Sequence, residues 1–147
     1  MKKTLCLVGL AILILGSGCA STRQFVPMPN QSNRIDDPTK GRIYVMRPTT
    51  FGGGVSMTVR DGEKEIGKTG PRGYLCWERE PGATMIMGKA ENTSIFPLTV
   101  EQGCVYYFIQ HVQMGMLKAG NNIELVDEAK GKEQLKNCKP AKVESGK

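Results

Sequence analysis

The sequence predicts a mostly β protein, an antiparallel β-sandwich of about seven to eight strands with one short C-terminal helix. Three observations carry this expectation. Between Gly41 and Val126, short runs rich in β-branched and aromatic residues recur at a spacing of roughly ten residues. Turn-forming residues, Asp61-Gly62 and Pro81-Gly82 among them, separate the runs. No amphipathic helical pattern intervenes, so hairpins must connect the strands, and two stacked sheets are the usual solution. A small barrel fits the same pattern.

RIYVMR (Arg42 to Arg47) carries apolar groups on both faces, as a strand covered on two sides does, and Pro48 stops it. VSMTVR (Val55 to Arg60) alternates, with Val55, Met57 and Val59 on one face. Asp61-Gly62 turns the chain into a weaker return strand, EKEIGK, Glu63 to Lys68. YLCWE (Tyr74 to Glu78) follows, and Pro81-Gly82 suits the central places of a type II turn. ATMIMGKA (Ala83 to Ala90) leads to IFPLTV (Ile95 to Val100), which Pro97 marks as an edge or a bulge. After Glu101-Gln102-Gly103 comes CVYYFIQHV (Cys104 to Val112), then a turn at Met114-Gly115-Met116 and a last strand, Ile123 to Val126. Good helix formers place a short helix at Lys132 to Cys138, with Leu135 and Cys138 on one side. Pro140 ends it, and residues 140–147 read as a mobile tail.

Ahead of this domain, residues 41–139, lie two segments of other character. Ala20 to Lys40 has no periodicity and contains three prolines, so residues 19–40 read as a flexible tether. Its relaxed span would be about 25 Å. Met1 to Cys19, MKKTLCLVGLAILILGSGC, has two lysines, an apolar run from Leu5 to Leu15, three small residues and a cysteine. That order is a secretory signal, and the run is about half the length of a membrane span. It resembles the lipobox of bacterial lipoproteins, in which cleavage, here between Gly18 and Cys19, leaves a lipidated cysteine at the new N-terminus. Gly16 stands where that pattern has a large apolar residue, and Leu15 lies one place earlier. Ordinary secretion with Cys19 as a plain thiol is the alternative.

Removing 18 of the 147 residues leaves 129, enough for one domain. Lys2 and Lys3 go with them, so 18 basic residues face 14 acidic ones, a net of +4. That mild excess suits anionic surfaces such as lipid headgroups or cell-wall polymers and does not argue for nucleic acid.

GRIYVMRP, VRDGEKEIGK, GYLCWEREPG, EQGCVYYFIQ and IELVDEAKGKEQLKNCK, in this order behind the lipobox, resemble the bacterial lipoprotein family called domain of unknown function 2846. The likeness runs from Gly41 to Lys139. The Asp-Gly hairpin followed by a Pro-Gly turn is similar to PEGA-type domains, small extracytoplasmic sandwiches, and the architecture is also that of transthyretin-like folds. The resemblance implies a periplasm-facing β domain without an established activity. Ala20 after the cysteine resembles lipoproteins sent to the outer membrane. The expected role is binding or scaffolding at the envelope, with a protein or cell-wall partner. An accessory lipoprotein of a type VI-like secretion machine is the alternative, and an enzyme using a thiol or His111 comes third.

Enzymatic activity, a cofactor and a metal site are not expected. His111 is the only histidine and sits late in a strand, where a surface role is commoner than catalysis. The spacing of Cys76, Cys104, His111 and Cys138 matches no zinc pattern. Glu63 and Glu65 share a wet hairpin face. In an oxidising compartment two of the three remaining thiols should pair. Cys104 with Cys138 would staple the helix to the sandwich, and Cys76 with Cys104 is the other choice. Phe51-Gly52-Gly53-Gly54 lacks the lysine and helix of a phosphate loop, so it reads as a flexible connector or a contact loop. Tyr106, Tyr107 and Phe108 put aromatics on both faces of one strand, which demands a second covering layer or a partner. Trp77 and the pair Met85 and Met87 are expected in the core. Met114 and Met116 flank a loop glycine.

Overall fold

The computed structural model describes residues 19–144; the signal segment, including Gly18, lies outside them. Eight strands of five residues or more form the body: β2 (Gly41–Arg47), β3 (Met57–Asp61), β4 (Lys64–Thr69), β5 (Gly73–Arg79), β6 (Gly82–Lys89), β7 (Thr93–Val100), β8 (Val105–Met114) and β9 (Ala119–Val126). Two-residue strands flank them: β1 (Arg23–Gln24), β10 (Lys139–Pro140) and β11 (Lys142–Val143). One sheet runs β11-β1-β4-β3-β6-β7 and the other β10-β5-β2-β8-β9. They stack as a sandwich. Hairpin pairs dominate, yet β2 lies parallel to β8, β10 to β5 and β1 to β11, so both sheets are mixed.

Between the sheets, Ile43, Val45, Val59, Ile66, Leu75, Trp77, Ile86 and Phe108 form the main core. The alternation of β3 explains its share, since Met57 and Val59 point inward. A second cluster of Tyr44, Met46, Tyr74, Cys76, Tyr107 and Ile109 lies on the outer face of the second sheet. This is the extra layer that the aromatics of β8 call for. The ring of Tyr107 stacks on that of Tyr44, with centroids 5.2 Å apart.

Part of the cover is helix α1 (Glu128–Leu135). It begins four residues before the expected start because Asp127 caps it, accepting the Lys130 amide at 2.8 Å. Leu135 and Cys138 pack on the second cluster as their spacing suggests, and buried Gly131 lets the helix approach Tyr107.

The rest of the cover corrects the expected tether. Residues 20–40 fold onto the body. Gln24 and Val26 are buried, and Met28 touches both clusters. The prolines forbid a long ladder, so side chains satisfy this segment's backbone instead. Buried Arg42 donates to the carbonyls of Asn30 (3.2 Å) and Asn33 (2.7 Å), and Glu78 accepts the amides of Asp36 (2.8 Å) and Asp37 (3.1 Å). Three glycines leave room for the approaching chain: a Cβ on Gly67, Gly70 or Gly73 would overlap Arg23, Ala20 or Thr22. The tail is corrected too. Residues 139–143 cross from β10 in one sheet to β11 in the other, with Ala141 buried between, and close the open edge.

Candidate functional site

Cys19 is exposed, at the end of the sandwich where β2 finishes. Its neighbour Ala20 is already part of the body, donating its amide to Gly53 O at 3.0 Å. Gly53 belongs to the Phe51–Gly54 loop, which is a built connector and not a flexible one. The fully buried Arg47 guanidinium donates to Phe51 O (3.0 Å), Gly52 O (2.6 Å) and Val55 O (2.5 Å). Burial among carbonyls with no carboxylate partner pulls the Arg47 pKa down from its usual value. Gly52, at φ +68°, takes a turn that a side chain would strain and packs against Val112 of β8. Phe51 remains 57% exposed.

The expected staple does not form, since Cys19, Cys76, Cys104 and Cys138 are all free thiols. Cys104 O accepts the Arg42 amide at the start of β2, whereas Cys138 lies against the Arg47 backbone at its end. Those points are about 17–20 Å apart along a strand, and a disulfide needs Cα atoms within about 7 Å. Cys76 is level with Tyr44 and, one strand further, Tyr107. Cys104 precedes Tyr107 by three residues, so this pair is also more than about 10 Å apart. Burial pushes the thiols of Cys76 and Cys138 up to about 11, which leaves them protonated and unreactive at neutral pH. His111 is exposed and sits 2.8 Å from Glu124 Oε2, four residues along β8 from the Cys76 level and seven from Cys104. Its hydrogen bond, followed by that of Lys130, holds the Glu124 carboxyl below its usual value. No cluster of three metal-ligating His, Cys, Asp or Glu side chains occurs among the described residues.

Two features escape sequence reasoning. Asp61, read only as a turn residue, is a hub: its carboxylate accepts from the Trp77 indole (2.9 Å), Thr84 (2.5 Å) and Arg79 (2.5 Å). It lines an open groove of 440 Å³ with Met28, Trp77 and Arg79. Gln24 is the second. Its side chain exchanges two hydrogen bonds with the backbone of Cys76, as a neighbouring strand would (2.9 and 2.7 Å). Neither arrangement leaves a local signal beyond the residue types.

Exposed apolar groups mark two surfaces. Met85 and Met87, expected in the core, sit on the outer face of β6, where Met85 is 53% exposed. They do share a face, but Ile86 and Gly88 take the inner one. Beside them on β7, Ile95 is exposed. At the β8–β9 tip, Met114 is largely exposed and Met116 and Leu117 almost wholly so. The described chain thus presents two exposed apolar surfaces on a two-sheet frame, with the exposed Cys19 at one end.

The fold defines the chain as a β-sandwich of two mixed sheets with a short helix near its C-terminus. No family model matches it. It is similar to an uncharacterized protein of Haemophilus influenzae, 26% identical over 137 residues, which cover 88% of this chain and 78% of that protein. No helix among the described residues is long and apolar enough to cross a membrane.

Proposed function

We propose that this chain is a lipid-anchored lipoprotein of the bacterial cell envelope that faces the periplasm and acts by binding or scaffolding a partner. The reading rests on one observation above others: MKKTLCLVGLAILILGSGC has the order of a lipoprotein signal and ends on a cysteine that is exposed at the domain's edge. A buried Cys19 could not receive acyl chains without unfolding the edge. Several such chains together hold a protein stably on a membrane, where one holds only marginally. The order of motifs from Gly41 to Lys139 supports membership of the domain of unknown function 2846 group, and Ala20 supports the outer membrane as the address. The inert burial of Cys76 and Cys138 and the distance of His111 from Cys76 and Cys104 favour binding over thiol chemistry.

Labelled palmitate tests the anchor. Wild-type chain expressed in a bacterium should incorporate it and fractionate with membranes, and Cys19→Ser should do neither. Equal labelling of Cys19→Ser would overturn the reading.

A further inference from the structure

The described chain has no free segment between Cys19 and the sandwich, because Ala20 is bonded to Gly53 and Arg23 enters the sheet. An acyl chain on Cys19 would therefore hold one particular end of the body against the headgroups, and that end has a distinctive chemistry. Across the first sheet, Lys142, Arg23, Lys68 and Lys89 lie in one transverse row, joined by the register pairs Arg23↔Lys142, Arg23↔Lys68, Thr58↔Lys68 and Thr58↔Lys89. All four are exposed. Like charges on facing strands are destabilising, so such a row is best compensated by an external anion. Within the protein, Glu144 reaches Arg23 at 3.4 Å and Glu65 and Glu91 line a groove with Lys89, but among the described residues Lys68, Lys89 and Lys142 make no ion pair within 4.0 Å.

Unpaired positive charge gathers at the Cys19 end. At the opposite end, around the start of β2, the β3–β4 turn and the end of β5, Asp36, Asp37, Asp61, Glu78 and Glu80 are ion-paired with Lys40, Arg42 and Arg79, so that end is close to neutral. At the Cys19 end, Arg72 and Lys118 add exposed cations in the β4–β5 and β8–β9 turns. The β8–β9 tip projects beyond this end, because Val112 already packs on Gly52 and the strand continues to Met114. It presents Met114, Met116 and Leu117 beside Lys118, apolar groups next to a cation, as membrane-interface segments do.

We infer that the Cys19 end docks directly on an anionic phospholipid surface, with the cation row on the headgroups and the β8–β9 tip inserted among them. The occupant is a bilayer because charge, apolar tip and attachment point coincide at one end. The inference rests on the lipoprotein reading for what brings this end to the membrane, but its test does not. The docked protein would stand with the start of β2 and the Asp61 groove turned away from the bilayer, free for a partner.

Full-length Met116→Trp places an indole on a side chain that is wholly exposed, so folding is not at stake. Trp77, the one natural tryptophan, is buried and supplies the unquenched reference. The protein is mixed with phosphatidylcholine vesicles, with and without phosphatidylglycerol, whose acyl chains carry bromine. The introduced indole should be quenched in the anionic vesicles and much less in the neutral ones, and salt should reverse it. Adding Lys68→Gln and Lys89→Gln should lower the ratio of docked to undocked protein about fivefold for each charge removed. An unquenched indole in anionic vesicles overturns docking whether or not palmitate is found on Cys19. Quenching in a chain without palmitate sustains docking and sinks only the anchor. Protection of the indole in whole membranes but not in vesicles means a protein covers the tip, and that also overturns it.

Discussion

Replacing Gln24 with leucine separates a packed N-terminal segment from a loose one. Leucine nearly matches glutamine in volume, so the cavity term is small, and the loss is one of hydrogen bonds. The Cys76 N–H and C=O, both buried, lose their partner, as do the carbonyls of Val26 (3.1 Å) and Pro27 (3.3 Å). A buried backbone group left unsatisfied costs about 1–3 kcal/mol. Two such groups at Cys76, less a small gain from apolar burial, give a destabilisation of about 3 kcal/mol. Trp77, 3% exposed in the main core, reports the unfolding by its fluorescence in urea. With a slope of about 2 kcal/mol per molar, the midpoint should fall by roughly 1.5 M. The melting temperature should drop by about 10 °C. The neighbouring exposed substitution Arg23→Gln should change the midpoint little. A Gln24→Leu midpoint within about 0.3 M of wild type would mean the segment contributes nothing to folding, and the packed strap would be wrong.

Asp61→Asn keeps the turn but can satisfy fewer of the three donors around it, and it removes the charge opposite Arg79; a loss of about 2–3 kcal/mol and a shifted Trp77 emission maximum are expected, and an unchanged urea midpoint would contradict the hub. The buried thiols predict a pH dependence. The Cys76 pKa rises from 9.0 to about 11 on folding, so the native state binds the proton more tightly, and the stability this gives is present below pH 9 and lost as pH climbs towards 11. The loss from Cys76 is about 2–3 kcal/mol, and Cys76→Ala should remove that part of the slope between those limits, leaving the part that Cys138 contributes. In the native protein at neutral pH a thiol reagent should modify Cys104 well before Cys76.

The sequence alone determined the strands and the helix's existence, because alternation, turn pairs and β-branched runs are local properties of the chain. β2 reads as covered on both faces and is buried throughout, and Asp61-Gly62 turns the chain with Gly62 at φ +58°. That the second aromatic face of β8 needs a further layer or a partner surface is legible too, and the structure supplies the layer over Tyr107. The helix starts four residues before the run of good helix formers because Asp127 caps it. What lies at positions 20–40 was beyond periodicity. That segment is held by Gln24 on Cys76, Arg42 on Asn30 and Asn33, and Glu78 on Asp36 and Asp37, contacts between residues up to 52 apart in the chain. The thiol pairing failed for the same reason, since counting cysteines says nothing of which end of β2 each one reaches. Met85 and Met87 share a face by sequence, but which face is wet depends on the sheet behind it. Local pattern fixes which residues go together; only the tertiary structure decides what they face, because burial of a polar group is settled by distant partners that bring the missing hydrogen bonds.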